Sequence, residues 1–167
     1  MSCKGDFESK VDQPFLALGR PLSGTVTLTS LLTREEQVRD WKCSNVLCAK
    51  HEIYGICNRK RKLIFPNECK HLIVSIEIFL DAFNTRTTAN ITGFSPSRPF
   101  TLGDDNNTHW IVSAVVYHTG ITPNSGHYTC TVIQDNTISY VSDEASTPRL
   151  RLGATKDVRM VLLSRVE

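Results

Sequence analysis

The sequence has no strong charge of either sign: 19 Lys and Arg stand against 17 Asp and Glu in 167 residues, a formal net charge of +2. So small an excess offers no long-range attraction to nucleic acid or to an anionic membrane surface, and neither is expected as a partner. Nor does it contain a run approaching the ~20 apolar residues that a membrane span requires. The opening stretch MSCKGDFESK has no apolar core of the kind that marks a secretion signal. These absences predict a soluble intracellular protein, cytoplasmic or nuclear. The sequons Asn90-Ile91-Thr92 and Asn106-Asn107-Thr108 then read as plain loop asparagines, because without a secretory route nothing glycosylates them. Internal repeats and low-complexity tracts are missing too, which leaves a single domain or part of one.

What is present fits an ordinary globular chain, 40% hydrophobic and 22% charged. The six cysteines lie mostly between Cys43 and Cys69, and in a chain without a signal peptide they read as thiols or metal ligands before disulfides. Thr33 followed by Glu36 has the spacing of a reciprocal helix cap and predicts a short helix ending near Trp41. Two short apolar pieces at 53–56 and 62–65 flank the polar run 58–61 and predict a protruding hairpin. The basic run Arg59-Lys60-Arg61-Lys62 would sit at its tip, where solvation accounts for the charge without an RNA contact.

Residues 70–81 are dense in β-branched side chains and alternate from Val74, as a central strand does. The stretch 82–108, rich in Pro, Gly, Asn and Thr, predicts loops with one edge strand. Residues 109–118 form the strongest strand signal in the chain. A turn-forming segment at 120–126 leads from it into a second strand at 127–133, an antiparallel pair around a flexible loop. Further strands are expected at 138–141 and 158–164. Strands in hairpin order with few helices predict an α+β protein built on a mainly antiparallel sheet.

The segment Val115-Val116-Tyr117-His118-Thr119-Gly120, continued by Asn124-Ser125-Gly126-His127-Tyr128-Thr129-Cys130, resembles the histidine box of the ubiquitin-specific proteases. In that family an apolar strand ending in His-x-Gly leads through a loop into Gly-His-Tyr, whose histidine is the general base. The resemblance places that role on His127. It also implies an acidic third member after the next strand, and Asp143, in Ile138-Ser139-Tyr140-Val141-Ser142-Asp143-Glu144, occupies the place. Residues 158–165 resemble the family's closing strand. Upstream, the family carries a finger region with two cysteine pairs and then a Pro followed by an apolar strand, an order that Cys43 to Cys48, Pro66 and residues 71–76 resemble.

The resemblance implies a palm-and-fingers fold, with about 1–69 finger-like and about 70–167 palm-like. It also implies thiol-dependent cleavage of the isopeptide bond after the C-terminal glycine of ubiquitin. The chemistry has its own logic. A thiol near neutral pH is mostly protonated, so a cysteine protease needs an imidazole to take the proton and return it to the leaving amine. The imidazole in turn needs a third group to hold its tautomer and ring plane, a task a carboxylate does well. That chemistry requires no cofactor. Ubiquitin or a ubiquitin-like modifier, and proteins carrying it, are the implied partners.

The chain departs from the family pattern at three points. The nucleophile motif, resembling Gly-Asn-Thr-Cys-Tyr at a helix start, has no match. Cys3 precedes Lys4-Gly5-Asp6, and Cys130 alternates to the strand face opposite His127. The usual adjacent acidic or amide pair is Ser142-Asp143 here, leaving open which of the two orients the histidine. Finally, Cys43 and Cys48 are separated by four residues, wider than the usual zinc-binding pair. A structural zinc on Cys3, Cys43 and Cys48 would need Cys57 or Cys69 to complete it, and buried free cysteines explain those residues equally well. Two functions therefore stand side by side: the histidine-bearing part of a deubiquitinase, and a non-catalytic ubiquitin-binding pseudoenzyme.

Overall fold

A computed structural model of the chain describes residues 15–32, 63–80, 85–93, 95, 97–102, 108–135, 137–153 and 155–166, with the backbone alone of 36–42 and 54–59. The chain divides into two compact units, Met1–Gln13 with Thr33–Arg61, and Pro14–Leu32 with Lys62–Glu167. In the first, β3 (Glu36–Lys42) pairs antiparallel with β4 (Tyr54–Arg59), from Glu36↔Arg59 to Lys42↔Tyr54. In the second, the chain runs from β1 (Phe15–Leu18) and β2 (Thr25–Thr27) through helix α1 (Leu28–Leu32) to β5 (His71–Ile76). It continues through β6 (Asn90–Thr92), β7 (Phe100–Thr101), β8 (His109–Thr122), β9 (Ser125–Gln134), β10 (Thr137–Ser142) and β11 (Ala145–Arg149). A 3-10 turn at Thr155–Asp157 then leads into β12 (Val158–Val166).

Seven of these strands lie side by side in the order β1-β5-β12-β8-β9-β10-β11, and β7 adds to β8 as an eighth. Every pairing in this sheet is antiparallel except β1 with β5. A short parallel pair, β2 with β6, stands apart from it. The sheet is therefore the mainly antiparallel α+β arrangement expected from the sequence. Among the described residues no helix is long and apolar enough to cross a membrane.

The strand patterns follow from burial on one face. On β5, Leu72, Val74 and Ile76 point inward while His71 and Ile73 are exposed, the period of two of a sheet with one covered face. On β8 the inward set changes phase from Trp110 and Val112 to Val115 and Tyr117. The cause is an irregularity in the β8–β12 register, where Leu162 pairs with Ala114 but Leu163 with Val112, so Ser113 is the extra residue of a bulge. Leu28, Leu31 and Leu32 of α1 and Ile91 of β6 join these residues in one core.

Two expectations from the sequence do not hold. The helix predicted to end near Trp41 lies earlier, at Leu28–Leu32, and residues 36–42 are the strand β3. Its cap is Thr27, whose Oγ1 accepts from Ser30 N (3.0 Å) while Thr27 N donates to Ser30 Oγ (3.1 Å). Residues 36–42 owe their extended form to β4, a pairing that local helical preference does not register. For the same reason the hairpin partner of β4 is β3 and not residues 62–65, of which 63–65 are irregular. Arg59 ends β4, and Lys60, Arg61 and Lys62 lie outside the described residues.

Candidate active site

The predicted flexible loop between the two site strands is a tight hairpin. β8 runs on to Thr122 and β9 begins at Ser125, so only Pro123 and Asn124 form the turn. The pairing is irregular between Thr119 and Thr122, as at a bulge. His127 is paired with Thr119, where the regular register ends.

β9 alternates so that Thr129 and Thr131 are buried, and His127 shares their face. Val141 on β10 is paired with Cys130, which faces the other way, so Ser142 returns to the face of His127. The result is a hydrogen bond of 2.8 Å between His127 Nε2 and Ser142 Oγ. Asp143 Oδ2 lies 3.7 Å from the same nitrogen, beyond hydrogen-bond length but within reach of charge. Asp143 occupies the two-residue turn between Ser142 and Ala145, with φ 51°, a left-handed conformation that Asp tolerates better than most residues. The His127 side chain is half exposed and that of Asp143 80% exposed, so water screens the charge pair.

The structure thus brings His127, Ser142 and Asp143 together, and of the Ser142-Asp143 pair the serine makes the close contact. Both contacts use Nε2. Nδ1 is left without a hydrogen-bond partner among the described residues, open to a reacting group.

Cys130 does not belong to this constellation. It lies on the opposite strand face, and burial pushes its thiol pKa up, away from the reactive thiolate. The other described free thiol, Cys69, gives a weak 3.4 Å hydrogen bond to the carbonyl of His71. Cys3, Cys43 and Cys48, the expected zinc ligands, lie outside the described residues. Among the described residues no cluster of His, Cys, Asp and Glu could hold a metal ion.

His118 ends the buried part of β8 and is only 1% exposed. Its ring lies 4.6 Å from that of Tyr128 and 5.7 Å from that of Phe79, centroid to centroid. Burial, and next the Arg86 guanidinium, hold its pKa below the ordinary histidine value. The His118 ring is thus enclosed and held toward the neutral form, unlike the exposed ring of His127.

No family model matches the chain, and no curated protein matches it. Solved structures do. The SAGA Ubp8/Sgf11/Sus1/Sgf73 DUB module bound to ubiquitin aldehyde covers 92% of this chain at a TM-score of 0.58 and 13% identity. The chain has a ubiquitin-specific-protease-like fold. The same DUB module, with a Ubp8 variant and bound to monoubiquitin, matches over 92% at 14% identity and a TM-score of 0.55. An essential yeast splicing factor is similar to the chain to the same degree, over 92% at 12% identity and a TM-score of 0.57. The chain spans only 35–36% of the length of these structures.

Sequence reasoning missed Arg86, whose guanidinium reaches the hairpin, because it lies in a segment read as loop. The only sequence signal was an arginine in a stretch otherwise poor in charge.

Proposed function

We propose that this chain is the histidine-bearing part of a ubiquitin-specific protease domain. Completed by a lobe that carries a cysteine nucleophile, it would hydrolyse the isopeptide bond after the C-terminal glycine of ubiquitin. The observation that carries the reading is the bond from His127 Nε2 to Ser142 Oγ with Nδ1 left open. With the proton on Nε2 donated to the serine, Nδ1 is the basic nitrogen. It takes the proton of the attacking thiol and later returns it to the departing lysine amine. Ser142 fixes the ring plane. Asp143, screened by water, adds a modest stabilisation of the imidazolium formed midway. The sheet would bind the body of ubiquitin or a related modifier, and the protein would act in the cytoplasm or nucleus, where thiols stay reduced.

A second reading, a non-catalytic ubiquitin-binding module, is favoured by the two described thiols: Cys130 faces away from His127, and Cys69, just before β5, bonds the carbonyl of His71. One experiment separates the two. The chain is titrated with ubiquitin, then mixed with the cysteine-bearing lobe of a ubiquitin-specific protease and a ubiquitin-amide reporter. Turnover that falls about 10²–10⁴-fold in His127→Ala supports the protease reading. Saturable binding with no turnover under any condition supports the module. Absence of ubiquitin binding sinks both. Covalent capture of the chain alone by ubiquitin bearing a thiol-reactive C-terminus, lost in His127→Ala, would mean that a cysteine of this chain is itself the nucleophile.

A further inference from the structure

The pairing of β12 with β8 runs from Val166↔His109 to Val158↔Tyr117 and stops there. β8 continues to Thr122, so beyond Tyr117 it has β9 on one side and, among the described residues, no strand on the other. The carbonyls on that side of β8, beside the candidate base, have no strand to accept from and need other donors.

Arg86 occupies that vacant side. Its Nη2 donates to the carbonyl oxygen of His118 (2.7 Å) and its Nη1 to that of Gly120 (2.5 Å). Between those two residues lies Thr119, the register partner of His127. The guanidinium is itself fixed on several sides. Asp157, directly before β12, pairs with Nη2 at 2.7 Å, and the Phe79 ring lies 5.6 Å beneath the cation. The backbone of Arg86 is bridged antiparallel to Phe79, with Thr87 N donating to Ile78 O (2.9 Å). His118 Nδ1 lies 3.3 Å from Nη1; since arginine only donates, a hydrogen bond between them requires the imidazole proton on Nε2, which is buried without a partner.

We propose that Arg86 is a positioning residue of this site: it stands in for the strand neighbour that β12 fails to provide, and so holds the hairpin that presents His127 to Ser142. The proposal rests on the reading of His127 as the general base, but its test does not involve ubiquitin. A planar fork serves two carbonyls and a carboxylate at once, which a lysine ammonium cannot do in the same plane.

The test is amide hydrogen exchange with long-range nitrogen-15 imidazole spectra, on the full chain and on Arg86→Gln, Arg86→Lys and Asp157→Asn. Loss of the fork is expected to speed exchange at residues 125–129 by roughly tenfold or more while β5 and the centre of β12 stay protected. The His127 ring should change from mainly protonated on Nε2 to a mixture of tautomers. Arg86→Lys should behave as Arg86→Gln does, and Asp157→Asn should fall between them and the wild type. Wild-type exchange and tautomer in Arg86→Lys would overturn the fork. Where Arg86→Gln does not fold, unchanged exchange in Asp157→Asn overturns the proposal in its place. Failure of the wild type to bind ubiquitin overturns the proposed function and not the positioning, which the exchange pattern decides.

Discussion

At the scale of single residues, two histidines nine positions apart illustrate how environment divides one side-chain type into two roles. His127 is half exposed and held by one nitrogen, the arrangement that the proposed role as general base uses. His118 is enclosed, and burial and then the positive charges of Arg86 and Arg159 hold its pKa below the ordinary value of 6.5, with Asp157 opposing them. The folded state therefore prefers the neutral ring. As pH falls through 6.5 the unfolded chain takes up a proton that the folded chain still refuses, so the contribution is complete above that pH and is lost below it. Denaturation midpoints measured at about pH 7.5 and about pH 5.5 should fall more steeply toward acid in the wild type than in His118→Gln. Equal slopes would mean that His118 is not the group responsible.

At the scale of the element, the β8–β9 hairpin depends on glycine for space. A Cβ at Gly126 would come within 2.7 Å of His118 Nε2 and 2.7 Å of the Thr119 carbonyl, and one at Gly120 within 2.3 Å of the Ser125 carbonyl. These are backbone and enclosed-ring contacts with nowhere to retreat. Gly126→Ala is expected to cost about 1–3 kcal/mol in chemical denaturation and to displace His127 from Ser142. A variant of wild-type stability with the His127 spectrum intact would show that the hairpin yields freely. Most strands were legible from alternation: β5, β8, β9, β10 and β12 lie where the apolar period placed them. β1, β2, β3 and β11 were not foreseen. β3 is stabilised by pairing with β4, and β11 is a short, wholly exposed edge whose Pro148 argues locally against a strand.

At the scale of the whole second unit, Arg20 ties together segments far apart in sequence. It is 4% exposed, and its guanidinium donates to the carbonyls of Glu77 (3.2 Å), Ala89 (3.0 Å), Lys156 (3.2 Å) and Val158 (2.5 Å). Burial, with repulsion from Arg86 and Arg159, lowers its pKa to about 10, still charged at neutral pH. Arg20→Met removes every donor and leaves enclosed carbonyls unpaired, at an expected cost of about 3 kcal/mol. For a unit of this size that is a fall in melting temperature of roughly 6–12 °C. A fall below about 2 °C would mean that water replaces the arginine without loss.

The sequence by itself determined the class of fold, the principal strands of the sheet and the choice of His127 as the candidate base. Alternation of apolar residues and a Gly-His-Tyr segment are local patterns, and local patterns survive in one dimension. Only the tertiary structure decided that Ser142 and not Asp143 makes the close contact, since that depends on the register of β9 against β10. The same holds for Arg86. Its hydrogen-bonding partners lie 32 to 71 positions away, and the side of β8 that it bonds is open because the pairing of β12 with β8 stops short of the hairpin.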